Sequence, residues 1–354
     1  PWQTPITTDT VFMYPAPGEP FFTMWQSGER YDIETATAPI NKAAGLNYFF
    51  FEQGVLTQHT TILGDYIMGL PYVFELNINQ VTGDLIIFAN ERHGIQMDGV
   101  THYYLHTTSG TRFRTGLGVA GVSEGSTTYT STASGRIYDE DIFIDIPART
   151  TVPHLYMIGD DWYLSPKDLT YGLLSGGVAQ YNEKLGANNY KLTPIPEGKY
   201  SVMYFIATDC VVNPVMKVVG QYLFDTLAAA RESAQTEPRD TSLMGLPAPE
   251  FLYMGAVVVN NLGQVQVLDN GSVYVDLRLV NISAGTNSTS AVQAIAEDTF
   301  FRNTNTGFAA TDVQAAIDEA HKYVTDRLTG TVAIDTNPVF SGVPRLSLIH
   351  ISEP

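Results

Sequence analysis

The sequence predicts a mainly β protein, with β-sandwich-like domains followed by a short helical, coiled-coil-like oligomerisation segment. Three observations carry that prediction. Period-two alternation of apolar and polar residues recurs along the chain, as a half-buried strand requires when successive side chains point to opposite faces. Charged residues make up only 16% against 44% hydrophobic, so Thr, Ser, Asn, Gln and Gly supply most of the polar surface, a balance that suits β-rich extracellular proteins. Helical periodicity is confined to two places, residues 225–234 and 311–328.

In chain order, residues 101–107, rich in Thr and Tyr, read as a strand. Residues 138–146 (YDEDIFIDI) read as a strand with Ile142, Ile144 and Ile146 on one face and Asp141, Phe143 and Asp145 on the other. Residues 200–207, 252–259, 265–268 and 273–279 read likewise, with Asn260-Asn261-Leu262-Gly263 as turn chemistry between two of them, giving a β-meander signature. The stretch 125–135 (GSTTYTSTASG) reads as a long loop. An alanine run behind an acidic start predicts a short helix over 225–234.

The second helical segment, 311–328, opens on a capping-box pattern of Thr311 with Gln314 and can end at Gly330. Its apolar positions Val313, Ile317, Ala320 and Val324 are spaced four, three and four, which is a coiled-coil seam. An isolated helix this short is marginal in water, so the stripe needs a neighbour, and self-association is the simplest source. The domain organisation read from these elements is a β-rich domain over 1–195, a second β-rich domain with one short helix over 196–282, a linker over 283–305 and a helical stalk start over 306–345.

Bulk properties bound the function. With 37 acidic and 19 basic residues the chain carries −18, which repels a phosphate backbone and argues against nucleic-acid binding. No apolar run reaches the roughly 18 residues of a membrane span, and the first residues lack a secretory pattern. The lone cysteine, Cys210, forms no intrachain disulfide and is expected to be a buried, inert thiol. The sequence opens on Pro1, so the true start is expected to be missing or processed.

Four motifs were weighed for chemistry. Residues 116–121 (GLGVAG) match a dinucleotide fingerprint, but no helical period follows, and a loop at a strand end is the better reading. His93, His102 and His106 cluster with Asp98; on a strand His102 and His106 would lie about 13 Å apart, too far to chelate one ion, and although the same spacing would work on a helix, the run of Thr and Tyr argues for a strand. The carboxylates Asp139, Glu140 and Asp141, and the pair Asp160 and Asp161, could serve glycoside hydrolysis or hold calcium, but solvated strand ends are the ordinary role of such groups. The 20 tyrosines and 17 phenylalanines mark cores or sugar-stacking surfaces. No catalytic residue, metal ligand or cofactor is assigned.

Three segments resemble bacteriophage virion proteins of the tail-fibre or appendage type known from environmental sequencing. The first is 91–116, opening on Glu91, Arg92, His93 and Gly94 and running through His102 and His106. The second spans 200–254, with Gly220, Gln221 and Tyr222 starting GQYLFDTLA and LPAPEF following at 246–251. The third, 306–320 (TGFAATDVQAAIDEA), is similar to a segment common just before the trimeric stalk of phage fibres. The resemblance implies a homo-oligomer, usually a trimer, located in the virion, docking on other virion proteins and linking the particle to a distal part that meets a host glycan or receptor. Residues 346–354 (LSLIHISEP) resemble the translation of a sequencing adapter, so the natural chain is expected to continue past about Arg345. Two further functions stand beside this one: a surface carbohydrate-binding module or adhesin stacking sugars on Trp25 and Trp162, and a polysaccharide depolymerase.

Overall fold

The computed structural model describes residues 9–61, 69–91, 99–108, 110–139, 142–186, 189–240, 246, 251–268 and 271–279. All of them fall within the compact unit Pro1–Val292. The expected linker, the helical segment with Val313, Ile317, Ala320 and Val324, and residues 346–354 lie outside the described residues. The described part is mainly β.

Two ribbons open the chain: β1 (Thr10–Met13) with β4 (Ala36–Pro39), and β2 (Phe22–Gln26) with β3 (Glu29–Ile33). A four-stranded sheet follows in the spatial order β6 (Val55–His59), β5 (Leu46–Glu52), β7 (Tyr72–Ile78), β8 (Leu85–Asn90). Next come helix α1 (Gly99–Thr108), the three-stranded sheet β13 (Ile142–Ile146), β12 (Gly135–Asp139), β9 (Thr111–Gly116), and the short pair β10 (Val119–Ala120) and β11 (Ser131–Thr132). A six-stranded sheet is ordered β15 (Asp161–Leu164), β14 (His154–Ile158), β20 (Val215–Val219), β19 (Ser201–Thr208), β21 (Phe251–Val259), β22 (Val275–Asp276). The strands β16 (Leu174–Ser175), β17 (Val178–Gly186) and β18 (Asn189–Pro194) form a further sheet, and helix α2 (Leu227–Asp240) lies between β20 and β21 in the chain.

The inner strands of the six-stranded sheet, β20, β19 and β21, are buried on both faces. Val202, Tyr204 and Ile206 of β19 belong to one apolar cluster, which also holds Phe49, Phe74 and Ile87 of the four-stranded sheet, and the alternate Met203, Phe205 and Ala207 belong to a second. Every residue of β19, β20 and β21 is buried. The half-buried strands expected over 200–207 and 252–259 are thus two-sided core strands, because polar residues are missing from their alternate positions. In β21 the face assignment changes parity at Gly255, where the register against β19 slips between Phe205 and Ile206. Gly255 is needed there: a Cβ would fall 2.0 Å from the Tyr274 hydroxyl, which donates to the Met254 carbonyl at 2.9 Å.

Strands from both sides of residue 195 share this sheet. β14 runs parallel to β20 in the register His154↔Lys217 and Leu155↔Val218, so residues 196–279 do not form a sheet of their own. Such a pairing is long-range and leaves no mark in local alternation.

Other expectations are met or corrected locally. The 225–234 helix is present as α2; the Thr226 hydroxyl accepts from the Ala229 N–H at 3.2 Å, a cap at its start, and Ala230 and Ala234 are buried in the first cluster. The 260–263 turn is present, with Asn260 Oδ1 accepting from the N–H groups of Leu262 and Gln264. Residues 138–146 form the β12–β13 hairpin rather than one strand, although Ile142, Ile144 and Ile146 do share a face. The 265–268 segment contributes only the Val265 bridge and 273–279 only the two residues of β22. The 125–135 loop carries β11 and a Thr128↔Thr170 bridge.

The strand expected over 101–107 is the helix α1, so the estimate of about 13 Å between His102 and His106 falls away. The Thr and Tyr side chains that favoured extended backbone there are outweighed by tertiary context. Three two-residue turns, Ser27-Gly28, Gln53-Gly54 and Gly176-Gly177, have both φ angles positive, which fits the type I′ geometry that matches strand twist.

Candidate functional site

The parallel seam between β14 and β20 places a lysine inside the protein. Lys217 sits in the apolar run of β20 with its side chain wholly inaccessible, beside the rings of the second cluster. Its three ammonium hydrogens have three acceptors: Asp168 Oδ1 at 2.5 Å, the Thr170 carbonyl at 2.7 Å and the Asp168 carbonyl at 3.4 Å. The Nζ also stands 5.4 Å from the centre of the Tyr129 ring. Burial pulls the lysine pKa down to about 8, against the Asp168 carboxylate that holds the proton on.

His154 is adjacent in register and equally buried. Its Nε2 lies 3.1 Å from the Tyr171 carbonyl, which can only accept, so Nε2 carries the hydrogen and Nδ1 faces the Ser165 hydroxyl at 3.3 Å. Burial first, and then the Lys217 ammonium, push the imidazole pKa down to about 3, so it is neutral at neutral pH. A buried ammonium, a half-exposed carboxylate and a neutral imidazole on fixed backbone acceptors form a strut between the six-stranded sheet and the 165–171 segment. Lys217 and His154 have no exposed surface, and Asp168 is 40% exposed.

A second constellation is acidic. Glu75 of β7, Glu91 after β8, Asp139 of β12 and Asp209 after β19 are all buried. The Tyr72 hydroxyl donates to Glu75 at 2.8 Å, and the Asn90 N–H donates to Asp209. His102 of α1 is buried, with Nε2 3.6 Å from Glu91 Oε2 and its ring stacked on Tyr72 at 6.2 Å. Burial holds the Asp209 carboxyl well above its ordinary 3.8, and the Asp139, Glu91 and Glu75 carboxylates add to that. Among the described residues no group of three or more His, Cys, Asp or Glu could hold a metal ion.

The folded pKa of Asp209 exceeds the unfolded one, so its contribution is fully present below about 3.8 and is lost as pH rises towards the raised value. Asp209→Asn, which keeps an oxygen for the Asn90 N–H, is therefore expected to raise the urea midpoint at pH 7–8 and to leave it unchanged at pH 3.5. Paired urea titrations at the two pH values check this.

The residues singled out in the sequence fall in separate places. Glu91 and His102 meet in the acidic constellation; Arg92, His93, Gly94, Asp98, Glu140 and Asp141 lie outside the described residues, as does the side chain of His106. Gly220, Gln221 and Tyr222 follow β20. Gln221 and Tyr222 line an open groove of about 500 Å³ with Tyr181, Glu183, Lys184 and Leu223. Asp161, expected to be solvated, is buried and accepts from the N–H groups of Gln80 at 2.7 Å, Val81 at 3.2 Å and Trp162 at 2.9 Å, whereas Asp160 is exposed. Trp162 is only 2% exposed and cannot stack a sugar, but Trp25 is 58% exposed. Cys210 is buried as expected, near the Phe88 N–H, and burial raises its thiol pKa. The glycine stretch 116–121 starts on the last residue of β9, Gly116, crosses the link Leu117-Gly118, where Leu117 is fully buried, and includes β10.

Lys217, Asp168 and His154 were missed because no motif joins them. The available signal was a lone lysine inside an apolar run, VMKVV. Comparison with protein-family models, with curated proteins and with solved structures returned no match.

Proposed function

We propose that the chain is a structural subunit of a bacteriophage virion, part of a tail fibre or similar appendage, linking the particle to a distal host-recognition part. It works mechanically and not as an enzyme, as a homo-oligomer of trimeric type, and needs no cofactor. The observation that carries this reading is the use made of its buried charge: Lys217, Asp168 and His154 are engaged with backbone and one another, bracing sheets instead of facing a substrate. The three segments that resemble phage fibre proteins support a place in the virion, and the sequence seam Val313, Ile317, Ala320 and Val324 supports assembly. The acidic balance of −18 keeps such a subunit soluble outside the cell and away from nucleic acid. No described helix is long and apolar enough to cross a membrane.

Light scattering on a sizing column tests the assembly. The full chain is expected at three times its 38.8 kDa mass at two concentrations, and Ile317→Asp, which puts a charge in the seam, is expected to lower that mass. A wild-type monomer, or a trimer indifferent to Ile317→Asp, would count against the reading.

A further inference from the structure

We infer that the outer face of the β2–β3 ribbon is a binding platform for a neutral pyranose oligosaccharide, a function beyond the scaffold role. The inward residues Phe22, Met24 and Ile33 are buried in the first apolar cluster, which fixes the ribbon and sends Thr23, Trp25, Arg30 and Asp32 to the outside. Across the ladder Trp25 is paired with Arg30 and Thr23 with Asp32, so the four side chains form one patch. The indole is 58% exposed.

Beside the indole the polar groups are already tied together. The Thr23 hydroxyl donates to Asp32 Oδ1 at 2.8 Å, and Arg30 Nε donates to the same oxygen at 2.9 Å. Among the described residues no bond is made to Asp32 Oδ2; the side chain is 40% exposed, and the Thr23 hydroxyl, and then Arg30, keep the carboxylate below its ordinary pKa. The Arg30 guanidinium is held against the Phe21 ring at 5.9 Å. An exposed aromatic plane flanked by a pre-organised carboxylate and guanidinium suits a sugar ring: its C–H face lies on the indole and a pair of neighbouring hydroxyls bridges Asp32 and Arg30.

The chemistry of the face, one exposed indole beside a carboxylate and a guanidinium, selects this occupant, and the ribbon has room for it. Two strands of five residues span about 17 Å by about 10 Å, or about 170 Å². That area matches one or two sugar rings.

Saturation-transfer NMR of the full chain with maltohexaose, cellohexaose and chitohexaose tests the assignment. A saturable signal from at least one of the three is expected, weakened at least tenfold by Trp25→Ala and severalfold by Asp32→Ala, with the thermal midpoint and molar mass unchanged in both variants. Absence of a saturable signal from all three sugars, or wild-type binding by Trp25→Ala, would overturn it. So would a fall in molar mass on Trp25→Ala, which would make the face a contact between copies. The readout is independent of the virion reading, since Ile317→Asp tests assembly and leaves the ribbon untouched.

Discussion

Replacing Lys217 by alanine is expected to destabilise the chain by about 3–5 kcal/mol, the range for removing one partner of a buried ion pair. Two losses combine. The stem of a wholly buried side chain leaves a cavity beside Tyr129 and Phe205, and the Thr170 carbonyl loses a 2.7 Å donor. Asp168 is better placed, because its side chain is 40% exposed and also accepts from the N–H and hydroxyl of Thr170 at 3.0 Å each, so water can take over part of its solvation. Lys217→Met fills most of the stem's volume and is expected to lose less than half as much. Urea titrations read through the buried Trp162 separate the two variants, and equal losses would mean that the missing ammonium, not the volume of the stem, sets the cost at this position.

Gly220→Ala is expected to cost about 3 kcal/mol, the upper end for overpacking a core, with Gly186→Ala as a control within about 0.5 kcal/mol. At Gly220 an added Cβ would sit 2.1 Å from the Val202 carbonyl oxygen, a backbone atom of β19 that cannot turn aside as a flexible side chain would. Moving β20 away would also disturb the 2.9 Å bond from the Asn182 N–H to the Gly220 carbonyl and the bond from the Ser201 hydroxyl to the Tyr222 carbonyl. Gly186 has open space around its Cβ direction and no positive φ, so alanine fits there. Thermal unfolding of the two variants checks the contrast, and equal midpoints would show that β19 and β20 approach less closely than described. The same glycine opens the GQYLFDTLA segment, so one residue of that resemblance acquires a steric reason.

How far the fold is legible depends on whether the cause is local. Apolar runs at 201–208 and 251–259 announce strands, Asn260 to Gly263 announces a turn, and Thr226 with the alanines of α2 announces a helix, because each signal acts within a few residues. The parallel pairing of β14 with β20 joins His154 to Lys217 from distant parts of the chain, and nothing near either residue encodes it. Two-sided burial of β19 was readable in retrospect: eight consecutive residues with hardly a polar side chain leave no solvent face. At α1 the Thr- and Tyr-rich stretch misleads: it is helical, and its His102 packs on Tyr72 and Glu91 from distant segments. The site chemistry was the least legible part. Charges that brace sheets are spread over distant segments, whereas the acidic clusters that catch the eye in sequence separate into buried Asp139 and Asp161 and exposed Asp160.

The central claim, a scaffold built around one sheet whose inner strands are buried on both faces and drawing strands from either side of residue 195, is tested most directly by native-state hydrogen exchange on the full chain. The amides of β14, β19, β20 and β21 are expected to exchange together and slowest, through global unfolding, with the β2–β3 ribbon opening at lower free energy. Exchange of β19 and β21 as fast as the ribbon, or separate unfolding of β14 from β20, would contradict the account.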